Sequence, residues 1–332
     1  QRFFNREGNK IMVGKLTPDT IISASRVPVL MGVSPYETPN ELMRSILDAR
    51  QGKPRQSLEQ NEPMFWGDTL EPVILTEAAK RLNLTDVVID FDAAIHHPSL
   101  PLAASLDGKG TGTQMVAHDP ANGIYCPQGK PVDISGVGVL EAKNTSVIAE
   151  DAPAPHRGVL QLQAQMMCAG YEWGCVAVLY RGGELRLFMY QSDLVVQGEI
   201  ANAIREFERN IEMGDWYPAT TSADANAAWN NVDDGAPPLD LDDVPDADYW
   251  AGILIDAKAP KKALDQEIDI AEANLKEMLG NHEEGVVTND GSRYYIKWPM
   301  RKTRAQPAKT VAAKPESIVR QKTLTVKEMP NG

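Results

Sequence analysis

The spacing of apolar and polar positions divides the first 215 residues into alternating helices and strands. Pro39–Arg50 carries Leu42, Ile46 and Leu47 at helical spacing behind a proline suited to a first turn. Residues 64–82 read as a second helix, with Pro72 either opening its regular part or kinking it. Short apolar runs at 87–95, 102–106 and 137–142, bounded by Gly, Pro or His-Pro, predict strands. A helix follows over 156–170, ending on Gly170. Strands at 175–181 and 185–191 are joined by a turn at Gly182-Gly183, and an amphipathic helix covers 193–213. Further on, the pattern predicts a helix over 261–279 stopped by Gly280, then a hairpin over 285–299 turning at Asp290-Gly291.

Charge sharpens this division. The 332 residues carry 33 Lys and Arg against 46 Asp and Glu, a formal charge of −13. Residues 220–260 hold nine Asp and one Lys beside Gly235, Pro237, Pro238 and Pro245, a composition that cannot build a core. Residues 293–327 reverse the sign, with ten Lys or Arg against Glu316 alone. The expected organisation is therefore a core over 1–218, an acidic linker over 219–260, and a small helix-plus-hairpin region over 261–332 with a basic tail. No apolar run approaches the ~18 residues of a membrane span, and no apolar targeting stretch stands at the start. Three cysteines supply neither a disulfide framework nor four iron–sulfur ligands, so a reduced, cytoplasmic chain is expected. The acidic balance argues against a non-specific DNA coat protein, but not against a nuclease whose metal ions bring positive charge.

Several familiar chemistries fail. The chain has no GxSxG elbow and no HExxH helix, and Gly123 to Gly129-Lys130 departs from a phosphate loop in spacing, with Pro131 in place of the hydroxyl residue. What remains is a set of acids with a lysine. In a strand ending Glu141-Ala142-Lys143, the first and third side chains share a face. A carboxylate there can hold a divalent cation, while the ammonium orients a water and stabilises charge developing on phosphate. Ser105-Leu106-Asp107-Gly108, read as the end of another strand, adds a second carboxylate. Acid-x-Lys triplets are common: Asp107-Gly108-Lys109 and Asp256-Ala257-Lys258 also fit, and Asp256 reads as surface. Glu141 is set apart by order: a helical acid at 71, then Asp107, then Glu141-x-Lys143, then a glutamine-bearing helix.

That order resembles a known family. Gly67-xxx-Glu71, Ser105-Leu106-Asp107-Gly108, Glu141-Ala142-Lys143 and Gln161-Leu162-Gln163 are similar to the lambda exonuclease and YqaJ-like viral recombinase branch of the PD-(D/E)XK nucleases. Ile22-Ser23-Ala24-Ser25, and His97-Pro98 leading into Leu102-Ala103-Ala104-Ser105, fit the same branch. The resemblance spans about residues 20–215. It implies an α/β, restriction-endonuclease-like core with a mixed central sheet flanked by helices. It also implies a Mg2+-dependent (or Mn2+-dependent) 5′-to-3′ exonuclease acting on double-stranded DNA ends and leaving 3′ single strands for recombination.

Carried over by position, the resemblance makes Asp107, Glu141 and the carbonyl of Ala142 metal ligands, with Glu71 assisting. Lys143 and Gln161 stand beside the attacking water, and Ser25 and Ser105 hold a terminal 5′-phosphate. Leu106 replaces the proline that names the superfamily, and no position matches the basic partner of the phosphate-binding serine; Arg26 and Arg157 are the candidates. The long gap from Asp107 to Glu141 suggests a β-extension, and Val29-Leu30-Met31 an apolar wedge between strands. The resemblance further implies a homotrimeric ring around DNA, a single-strand annealing recombinase as partner, and a phage or prophage setting in a bacterial host. The rival readings are a Cas4-like or structure-specific endonuclease or flap nuclease, and a non-catalytic DNA-binding recombination partner.

Overall fold

The computed structural model describes residues 17–53, 61–89, 91–229, 238–289 and 292–298. The chain divides into two units, Gln1–Trp229 and Asn230–Gly332. In the first, strand β1 (Ile22–Ser23) leads into the short helix α1 (Val27–Leu30). Helix α2 (Pro39–Arg50) starts at a capping box in which Thr38 accepts from the backbone of Glu41 while the Glu41 side chain accepts from that of Thr38. Helix α3 (Glu62–Arg81) is capped by Asn61, which accepts from Met64 N, and runs unbroken past Pro72. Pro72 therefore sits in the helix interior, where its missing N–H removes one hydrogen bond.

Strands then follow closely: β2 (Thr85–Ile89), β3 (Ile95–His96), β4 (Leu102–Ala104), β5 (Gly108–Gly112), β6 (Met115–Val116), β7 (Ile124–Tyr125) and β8 (Val132–Asp133). The long strand β9 (Gly136–Thr145) passes through a π-helical turn at Pro155–Val159 into α4 (Leu160–Ala169). The hairpin β10 (Trp173–Tyr180) and β11 (Glu184–Gln191) precedes α5 (Leu194–Met213), capped by Asp193. Helix α6 (Ser222–Ala228) ends the unit.

The main sheet has six strands in the order β2-β5-β9-β10-β11-β7. It is mixed: β9 and β10 run parallel, whereas β5 opposes β9 and β11 opposes β10. Successive residues of the central strands feed opposite cores. Val176 and Val178 pack with α1, α2, α4 and α5, while Cys175 and Ala177 pack with Leu75, Ala78 and Ala79 of α3. This is the expected α/β arrangement, a mixed central sheet with helices on both faces. No described helix is long and apolar enough to cross a membrane.

Several expectations change. The strand expected over 87–95 is two strands, β2 at the edge of the main sheet and β3 at the edge of a three-stranded sheet β1-β4-β3. The run at 102–106 leaves its sheet after Ala104, so Asp107 does not end a strand but immediately precedes β5. β5, Gly-Lys-Gly-Thr-Gly, has no strand signature of its own. Its glycines answer to close neighbours: an added Cβ on Gly110 would meet Leu84 at 3.0 Å, and one on Gly112 the carbonyl of Ile134 at 2.3 Å. Val29 and Leu30 are buried in the core, so the wedge expected there is absent from those residues.

The first unit also runs to residue 229 rather than 218. Asp224 of α6 accepts from Thr38 Oγ1 at 2.6 Å, and Arg44 donates to the carbonyls of Ala227 and Ala228. These are polar contacts with α2, invisible to an apolar pattern.

The second unit contains α7 (Ala247–Leu279) and the hairpin β12 (Glu284–Asn289) and β13 (Ser292–Lys297). The helix expected from 261 begins at 247, inside the segment read as linker, and stops at Gly280 as expected. The turn at Asp290-Gly291 and the basic tail beyond 298 lie outside the described residues.

Candidate active site

The site is built where β5 and β9 pair. Gly108 is opposite Leu140, so Asp107, just before β5, and Glu141 of the adjacent antiparallel β9 stand side by side. The N–H of Ala142 donates to Asp107 Oδ2 at 3.0 Å, which fixes that carboxylate against the strand. Glu141 is buried on the face of β9 that looks toward α4. Lys143, two residues on and hence on the same face, donates to Glu141 Oε1 and to Gln161 Oε1 at 3.1 Å.

A residue that the sequence reading missed completes the cage. Gln165 donates to Glu141 Oε2 at 2.6 Å and to the carbonyl of Ser105 at 3.1 Å. Gln161 and Gln165 are one helical turn apart and share a face of α4. Gln163 instead points to the opposite side, donating to Gln191 O and accepting from Asp193 N. The i, i+4 spacing of Gln161 and Gln165 was the available signal.

Electrostatically the cluster is over-supplied with negative charge. Burial, reinforced by Glu141 and Glu71, holds the Asp107 carboxyl well above the usual carboxylate range against the opposing pull of Lys143. Burial draws the Lys143 ammonium down, but Glu141 and Asp107 outweigh it and leave its pKa raised. Three acids thus act on one ammonium. That excess, offered by hard oxygen donors, suits a divalent cation such as Mg2+ or Mn2+. The residues present fit such an ion, although no three His, Cys, Asp or Glu side chains among the described residues already form a closed cage.

Beside the acids lies a cavity of about 240 Å³, lined by residues that include Glu71 from α3 and Ala142, Lys143 and Asn144 from β9. Glu71 sits one turn before Ile74 and Leu75, which anchor α3 in the core. Met64 also lines this cavity, and its neighbours Phe65 and Trp66 are exposed and packed edge to face at 5.4 Å. A larger open groove of about 740 Å³ around Arg81, Asp119 and Glu184 contains none of the expected site residues.

The residues expected at a DNA end are positioned by the small sheet. β1 and β4 run parallel with Ser23 opposite Ala103, so Ser25 and Ser105 both lie two residues beyond paired positions. Ser25 is exposed, with its hydroxyl 3.0 Å from that of Ser23. The two arginines are engaged within the fold: Arg26 pairs with Glu37 at 3.2 Å, and Arg157 pairs with Glu150, which also accepts from Tyr180.

Residues 15–172, which contain β1 through α4 and every site residue named above, match the model of the YqaJ-like viral recombinase domain. Over these residues the chain is similar to the YqaJ-like viral recombinase domain. Among solved structures, this YqaJ-like chain is similar to LHK-Exo, an alkaline exonuclease from Laribacter hongkongensis. Identity is 19%, covering 59% of this chain and 90% of that one, with a TM-score of 0.44. The complex of LHK-Exo with dAMP gives a TM-score of 0.43 at the same identity and coverage. SSO0001 is similar at 15% identity over 62% of this chain and 82% of that one, with a TM-score of 0.31. No curated protein matches the chain.

Proposed function

We propose that this protein is a metal-dependent deoxyribonuclease, a 5′-to-3′ exonuclease on double-stranded DNA ends that leaves 3′ single strands for phage-type recombination. The observation that carries the reading is the pairing of Asp107 with the Glu141-Ala142-Lys143 strand, closed by Gln161 and opening toward Glu71. Similarity of residues 15–172 to a viral recombinase domain supports the recombination setting, a phage or prophage gene product at work in a bacterial cytoplasm. In that setting the protein acts as a homotrimeric ring beside a single-strand annealing recombinase.

Asp107, Glu141, the Ala142 carbonyl and Glu71 would hold the ion. When bound, Mg2+ supplies Lewis acidity toward the scissile phosphate and lowers the pKa of a coordinated water. The chain's own residues do the rest. Lys143 orients the attacking water and stabilises charge on the phosphate. Gln161 holds the Lys143 ammonium in line, and Gln165 holds the Glu141 carboxylate against rotation. Met64, Phe65 and Trp66 offer apolar surface to bases unpaired at the cavity.

The test is digestion of linear duplex, labelled at either 5′ end, with and without Mg2+. Short products released from whichever 5′ end is labelled, while the 3′ part of each strand persists as single-stranded DNA, support the reading. Cleavage of covalently closed circular DNA at a comparable rate points instead to the endonuclease alternative, and absence of cleavage by well-folded protein in Mg2+ or Mn2+ to the non-catalytic one.

A further inference from the structure

Helix α7 of the second unit carries an apolar stripe that the described residues of that unit leave largely exposed. From Ala247 to Met278, residues spaced alternately three and four apart are apolar at nine of ten positions, Lys261 being the exception. That is the a/d repeat of a coiled coil sustained over about 50 Å of helix. On this stripe Trp250, Leu264 and Met278 are 63%, 57% and 80% exposed. Among the described residues of the unit, only Leu279 is a buried hydrophobic, packed under the hairpin at Gly285. Pro260 and Gly252 weaken the helix from within. A long helix with a central proline, a continuous seam and almost no core of its own depends on a packing partner.

The charges beside the seam select that partner. In a parallel pair, Glu267 at a g position would face Glu272 at an e position of the second copy, a like-charge contact. In an antiparallel pair overlapping over 247–278, Lys258 faces Asp265 on both sides instead. The same alignment sets large against small at three layers, Leu254 opposite Ala271, Ala257 opposite Ile268 and Ala247 opposite Met278, while Trp250 meets Leu275. Lys261 then lies opposite Leu264 on either side of the two-fold axis, a polar residue at an a position that fixes register.

We infer that α7 is a self-association element, an antiparallel two-stranded coiled coil with a second copy of this chain. It acts separately from any assembly made by the nuclease core, so it doubles whatever assembly that core forms.

The experiment uses the full chain. Native mass and sedimentation should show that the double variant Leu264→Asp, Ile268→Asp has half the subunit number of the wild type, with cleavage per subunit on short duplexes unchanged. A wild type no larger than the variant overturns the proposal. Orientation is read from Ala257→Cys and Ile268→Cys chains, the native cysteines being buried. Mixed together they should oxidise to a cross-linked dimer, and neither should do so alone; efficient cross-linking of Ala257→Cys with itself overturns the antiparallel arrangement. Should the aspartate variant fail to fold, Lys261→Leu serves as the opposite probe. It should tighten self-association at least 10-fold on dilution, and unchanged or weaker association rejects the seam.

Discussion

Gln165 donates to Glu141 Oε2 across 2.6 Å in a site that excludes solvent from both side chains. The same amide nitrogen reaches the carbonyl of Ser105, two residues before Asp107. One side chain therefore ties β9 and the segment that leads through Asp107 into β5 to α4. The price is its own Oε1, which is buried without a hydrogen-bond partner. Turning the amide over would set that oxygen against two acceptors, so the orientation is fixed by its surroundings.

Gln165 therefore serves both the fold and the site. Gln165→Met keeps the shape and removes the orphaned acceptor, but leaves Glu141 Oε2 and the Ser105 carbonyl each without that donor. An unpartnered buried acceptor costs about 1–3 kcal/mol, so with one removed and two created, thermal stability should fall by about that amount. Activity should fall roughly 10–100-fold, with the Mg2+ concentration for half-maximal rate raised, as for other groups that orient metal ligands. A metal titration of wild type and variant checks it; an unaltered metal requirement would remove Gln165 from the site.

Asp107→Asn should abolish most activity and stabilise the metal-free protein. Loss of at least ~10²-fold in rate corresponds to about 2.7 kcal/mol. The sign of the stability effect follows from Asp107 being held well above the usual carboxylate range. A raised folded pKa favours the folded state at low pH, and that advantage is lost as pH rises through the folded value. The asparagine variant should therefore melt higher than wild type at neutral pH without metal, and the difference should shrink on acidification. Melting curves from pH 4 to 8 in chelator measure it.

Gly158 is the packing partner of the lysine. Its φ of +97° lies in the region that favours glycine, and an added Cβ would meet Val176 Cγ1 at 2.9 Å and Lys143 Cε at 3.5 Å. Gly158→Ala should cost about 1–2 kcal/mol of stability from backbone strain alone. It should also lower turnover by disturbing the Lys143 stem, while duplex binding in Ca2+ stays within a few-fold. Lys143→Ala should show the turnover loss without the backbone strain. Equal turnover in Gly158→Ala and wild type at saturating DNA would show that the lysine tolerates displacement.

End recognition is the fourth expectation. If Ser25 and Ser105 hold a terminal phosphate, a 5′-phosphorylated duplex should be degraded faster than its 5′-hydroxyl twin. Ser25→Ala should narrow that gap by the worth of one charge-assisted contact, about 1.5–3 kcal/mol. Arg26 and Arg157 are already paired with Glu37 and Glu150, so either would have to exchange partners to join. Single-turnover rates on the two substrates, for wild type and Ser25→Ala, decide it; equal rates on both by wild type exclude an end-reading pocket.

The sequence by itself determined which side chains are available for chemistry. Side-chain type is local information: Asp107 and Glu141 bring the carboxylates that the proposed metal site calls for, and the two-residue period of a strand necessarily puts Glu141 and Lys143 on one face. Helix ends marked by Gly170 and Gly280 were legible for the same reason, because capping is settled within one turn. Tertiary structure decided what depends on neighbours distant in the chain. The glycine-rich β5 is a strand because Leu84, Ile134 and β9 close around it, not because its residues favour extension. Gln165, rather than Gln163, faces the acids because the packing of α4 on β9 selects one side of the helix. Val29 and Leu30 are core rather than wedge, and α6 belongs to the first unit through hydrogen bonds between residues more than 180 positions apart. Periodicity says which residues share a face; only the folded chain says what that face meets.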